Sequence, residues 1–88
     1  MRYFFHTING SRDLDTEGTE LGSLASARQH AVQYAAACMA DDPDMLWRAD
    51  TFRVEVKDAD DVLLFSIVTR GLEASRTPNE SAPGSSGS

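Results

Sequence analysis

The chain has 88 residues, room for one small domain whose core sits near the lower size limit at which burial alone sustains a fold. Its 14 acidic against 8 basic side chains give a formal net charge of −6, which opposes condensation onto nucleic-acid phosphates or anionic lipid heads. No run approaches the roughly 20 apolar residues of a membrane span, residues 1–8 do not resemble a secretory signal, and the single Cys38 cannot close an internal disulfide; the expected setting is reduced and cytoplasmic, with neither nucleic acid nor membrane as partner.

Residues 2 to 8 are aromatic and β-branched, and Asn9-Gly10 follows, the dipeptide suited to a two-residue type I′ turn. That turn predicts a hairpin pairing Ile8 with Ser11, Thr7 with Arg12, His6 with Asp13 and Phe5 with Leu14. Tyr3, Phe5 and Leu14 then face the core, while Phe4 and Ile8 lie on the opposite face. The polar, glycine-broken stretch 15–20 reads as a loop. Ser23 is positioned to cap a helix starting near Leu24, and Leu24, Ala27, Ala31, Tyr34, Ala35 and Cys38 recur at helical spacing. The stripe is mostly alanine, which predicts a helix seated close against a sheet and ending at Ala40. Asp41 and Asp42 oppose the dipole at that end, so its last turn is expected to fray.

Residues 41–50 read as a connection in which the lone Trp47 anchors the loop to the core. From Thr51 the alternation has period two, with Phe52, Val54 and Val56 on one face and Arg53, Glu55 and Lys57 on the other. A turn at 58–61 predicts a second hairpin pairing Val56 with Leu63, Val54 with Phe65 and Phe52 with Ile67. The expected architecture is α+β in the order ββαββ: a four-stranded antiparallel sheet with one helix packed on one face. It occupies residues 1–70, and the Ser-, Pro- and Gly-rich residues 71–88 read as a disordered tail or a cloning remnant.

The opening Arg2-Tyr3-Phe4-Phe5-His6, the later Glu17-Gly18-Thr19-Glu20-Leu21, the helical Leu24-x-x-Ala27-Arg28-x-x-Ala31 and the closing Phe52 to Asp58 followed by Val62-Leu63-Leu64 appear in an informative order. Together they resemble, over roughly residues 2 to 70, a family of short bacterial proteins classed as domain of unknown function 6894. The resemblance implies a small soluble bacterial protein and brings no catalytic or binding residues with it. The chain departs from the family pattern at Asp60-Asp61, where a glycine is usual, and at Ser23, where an acidic cap is usual.

Candidate chemistry is sparse. Asp13-x-Asp15-x-Glu17-Gly18 begins like a calcium loop, but the twelfth position is Leu24 where a bidentate carboxylate is needed, which leaves weak metal binding through Asp13, Asp15 and Glu17 as the residual idea. His30 and Cys38 stand about 12 Å apart along the predicted helix, beyond reach of a shared proton. No enzyme, catalytic residue or cofactor is expected. The face opposite the helix would expose Phe4, Ile8, Val62, Leu64 and Val68 beside charged groups, which predicts a non-catalytic interaction surface for a homodimer or another protein. Two alternatives stand beside it: a metal or small-ligand site at the acidic loop, and an acidic mimic of nucleic acid.

Overall fold

The computed structural model describes residues 1–74; the expectation of a disordered tail falls, from residue 75 onward, outside them. Seven elements follow in chain order: β1 (Arg2–Ile8), β2 (Arg12–Asp13), β3 (Thr19–Glu20), α1 (Leu24–Asp41), α2 (Met45–Ala49), β4 (Thr51–Lys57) and β5 (Leu63–Arg70). All strand pairings are antiparallel, in the order β2-β1-β4-β5, with β3 also lying against β1. The fold is therefore α+β as expected. The sheet has five strands instead of four, because the polar stretch read as a loop contributes the two-residue β3.

The core lies between the sheet and the helices. Tyr3, Phe5, Phe52, Val54 and Val56 project from the central strands and meet Ala27, Ala31 and Ala35 of α1, all buried. Alanine at this spacing puts the smallest side chains where the helix backbone comes nearest the sheet. The helix begins as the sequence predicts, with Ser23 Oγ accepting from the Ser26 N–H at 3.1 Å. Its far end lies one residue beyond the predicted Ala40. The helix runs to Asp41, the Asp42 N–H donates to the Cys38 carbonyl, and Arg48 Nη2 meets Asp42 Oδ2 at 2.7 Å, so a cation offsets one of the unfavourable carboxylates.

Three local expectations are corrected. The first hairpin turns through three residues, 9–11, with Gly10 at φ 99°, so Ile8 pairs with Arg12 and Thr7 with Asp13. Asn9-Gly10 serves this longer loop as readily as the two-residue one, and the added residue moves the register by one. Leu14 accordingly leaves the core and is 57% exposed, and Asp13 faces Thr7 in place of His6. In the second hairpin, Asp58 Oδ1 accepts from the N–H groups of Asp60 and Val62 and holds a longer loop, 58–62. A bulge beside Val56 and Lys57 then pairs Lys57 with Leu63 and Val56 with Phe65. The shift by two keeps Phe65 and Ile67 on the helix side, with Phe5, Val56 and Phe65 in one cross-strand row, but leaves Leu63 52% exposed. Finally, Trp47 is not a buried anchor: residues 45–49 form a helical turn that buries Met45 and leaves Trp47 exposed, its ring lying over Gly71. A Cβ at Gly71 would stand 2.7 Å from that ring.

Candidate functional site

The two long edges of the sheet are built differently. On the outer side of β1, β2 covers Thr7 and Ile8 while β3 covers Arg2 and Tyr3, leaving a gap between them. Asp15 fills it. Its Oδ2 accepts from the Phe5 N–H at 3.1 Å, and its Oδ1 accepts from the N–H groups of Glu17 and Gly18 at 3.1 and 3.0 Å. A carboxylate thus takes the place of a missing strand carbonyl and folds its own loop around itself. The Asp15 N–H in turn donates to His6 Nδ1 at 3.0 Å, which fixes the ring as an acceptor at that nitrogen. Burial works against the Asp15 charge, but the N–H groups of Gly18, Phe5 and Glu17 outweigh it and hold the carboxyl below its usual pKa.

The same edge accounts for two sequence blocks. Arg2 pairs with Glu20 and Tyr3 with Thr19, so the Arg2 to His6 string and the Glu17 to Leu21 string are partners across one ladder. Arg2 Nη1 donates to the Glu17 carbonyl at 2.8 Å, the terminal amine of Met1 meets Glu20 Oε2 at 2.6 Å, and Leu21 packs on the core. Gly18 has φ 74°, and a Cβ there would lie 2.8 Å from Arg2 Cγ and 2.9 Å from Phe4 Cε2. Only glycine meets both conditions without rearrangement.

A scan against family models matches residues 2–69 to Domain of unknown function (DUF6894). The chain belongs to that family. No curated protein and no solved structure matches it. The Arg2 to His6 and Glu17 to Leu21 strings that carry the family resemblance therefore have a structural occupation in this chain, closing one edge of the sheet.

The face opposite α1 carries cross-strand rows that mix apolar and charged groups. Ile8, Arg53 and Val68 form one row with Arg12 beside Ile8; His6, Glu55 and Ser66 form the next; Phe4, Lys57 and Leu63 the third. Glu55 is the polar centre, its side chain 14% exposed, with Oε1 at 3.4 Å from Arg12 Nη2 and Oε2 at 3.1 Å from Arg53 Nη2. Arg12 of β2 and Arg53 of β4 share this one carboxylate of β4, which links β2 to β4 across β1 on a face that no helix covers among the described residues.

Of the residues singled out for contact, Phe4 and Ile8 are half-buried by this packing, and Leu64, the extra residue of the bulge, is half-buried against the core. Val62 and Val68 are 52% and 62% exposed. The apolar exposure of this face is thus concentrated on β5 and the turn before it. β5 is also the other edge of the sheet, eight residues long, with no strand beyond it among the described residues.

The acidic loop residues have other duties. Both Asp15 oxygens are engaged by backbone N–H groups, Glu17 contributes its own backbone to the loop, and Asp13 lies in β2. Among the described residues, no three His, Cys, Asp or Glu side chains come together as a metal ion would require. A shallow notch of about 160 Å³, with Asp15, Thr19, His30 and Tyr34 on its walls, escaped the sequence reading. The only signal for it was the four-residue spacing of His30 and Tyr34, which brings both rings against Phe5 at centroid distances of 4.7 and 6.4 Å. At the next turn, burial pushes the Cys38 thiol pKa up and the nearby Asp41 carboxylate adds to the shift, the opposite of what an activated nucleophile needs. No helix among the described residues is long and apolar enough to cross a membrane.

Proposed function

We propose that this domain is a non-catalytic protein-interaction module that self-associates through the uncovered sheet face along β5, with Val62 and Val68 at the contact and Phe4, Ile8 and Leu64 supporting it from beneath. The observation that carries this reading is the coincidence of an unpaired eight-residue edge with exposed Val62, Leu63 and Val68 on the same margin. Isolated exposed apolar residues are ordinary on any protein surface. Two of them on a strand whose outer side has no neighbouring strand among the described residues, with Val62 in the turn before it, make a surface that a second chain can complete. Among the described residues, Asp15, Asp42 and Cys38, whose pKa values are perturbed, are engaged in closing a loop, pairing with Arg48 at the end of α1 and packing its stripe.

The test is mass in solution by light scattering, on the intact chain and on a Phe4→Asp, Leu64→Asp double variant. The proposal expects a concentration-dependent dimer for the parent and a monomer for the variant. Because Leu64 also packs on the core, a Val68→Asp variant, altered only at an exposed position, is measured beside it. Monomers throughout, at equal thermal stability, would remove the reading.

A further inference from the structure

Resting on the reading just given, the geometry points to a specific partner and register: we infer that β5 pairs antiparallel with β5 of a second copy about a two-fold axis through Ser66. A two-fold axis normal to the sheet keeps each side chain on its own face, so only registers that match inner with inner residues are allowed. Centring on Ser66 places Phe65 opposite Ile67 of the second copy and Leu64 opposite Val68 of the second copy, each pair occurring twice. The first pair joins two half-buried side chains on the helix side, extending both cores across the junction. The second sets Val68, the most exposed large apolar side chain of the strand, opposite the backbone of the bulge residue Leu64, whose own side chain packs on the core. At the axis two small Ser66 hydroxyls meet, where bulky groups facing their own copies would crowd.

Charge supports the same occupant. Although the chain is strongly acidic, residues 63–70 contain no carboxylate and end in Arg70, so two copies of this edge meet without like acidic charges. In the Ser66-centred register Arg70 falls opposite Val62 of the second copy, next to its Asp60 and Asp61. Arg70 pairs with no carboxylate among the described residues, and both aspartates are exposed. The two-fold repeats this complementarity at both ends of the ladder.

Single-cysteine cross-linking of the full chain in a Cys38→Ser background tests the register. Directly opposed residues in an antiparallel pair lie about 4.5–5.5 Å apart at Cα, inside the range a disulfide spans. Ser66→Cys should therefore give a covalent dimer under mild oxidation. Val68→Cys should cross-link with itself roughly tenfold more slowly or not at all, since its own copy lies about 13 Å away along the ladder. Mixed Val68→Cys and Leu64→Cys chains should cross-link with each other. A dimeric mass without a Ser66→Cys disulfide, or with faster Val68→Cys coupling, would overturn this register while leaving self-association standing. A monomeric mass at every concentration would overturn both.

Discussion

The outer edge of β1 and the outer edge of β5 solve the same problem in opposite ways. The first carries two strands of two residues each, a carboxylate that accepts the intervening N–H, and a glycine whose missing side chain lets the loop lie flat against Arg2 and Phe4. The second carries eight residues, no acidic group, and its most exposed valine at the free margin. Native sheets normally blunt an edge with short strands, charges or a covering loop. Here the first edge has all three devices and the second has almost none, which is why the proposed contact is placed on the second.

Breaking the closed edge should cost the most. Asp15→Ala removes the acceptor of three backbone donors and should destabilise the fold by about 3 kcal/mol in urea titration, while exposed Asp13→Ala should leave the midpoint nearly unchanged. The same carboxylate gives that edge a pH signature. Its folded pKa lies below the unfolded value of about 3.9, so its contribution is complete above that value and is lost as pH falls through the lower folded value. Stability of the parent should therefore decline on acidification below about pH 4, and Asp15→Ala should flatten that decline. Gly18→Ala comes next, with a left-handed backbone and a 2.8 Å approach to Arg2 Cγ, and should cost about 2 kcal/mol in the same titration.

On the open side the effects are smaller and partly of opposite sign. Asp61 sits at φ 65°, within the Asp60-Asp61 turn where the family resemblance implies a glycine nearby, and its link to Lys57 at 3.2 Å is highly exposed. Asp61→Gly should raise stability by about 0.5–1 kcal/mol, read as a higher urea midpoint. Val68→Lys should change monomer stability by no more than about 0.5 kcal/mol yet shift the mass in light scattering from dimer to monomer. A large stability loss with no change in mass would reverse the roles assigned to the two edges.

Much of this architecture was legible in the residues. Ser23 and the alanine spacing located α1, the alternation from Phe52 to Val56 located β4, and the turn at Asp60-Asp61, whose type the residues left open, holds Asp61 at a left-handed φ. The closed edge was not legible. Asn9-Gly10 suits turns of two lengths, and one added residue moved Leu14 and Asp13 to new places. Asp15 does the work of a strand with a side chain, which leaves no periodic trace, and β3 is too short to show any. Trp47 was misread because a five-residue helix offers no period and size alone suggested burial, while the narrower Met45 takes the core position. The proposed contact surface was half-legible: the outward pattern singled out Val62 and Val68, whereas the sheet order that makes β5 an edge came only from the pairing of β1 with β4.

Amide hydrogen exchange, followed at low and high protein concentration, compares the two edges in one experiment. The account predicts that β5 amides gain protection as concentration rises, in step with the dimer population, while the Phe5 amide held by Asp15 exchanges at the same rate throughout. Exchange from β5 that ignores concentration would contradict it.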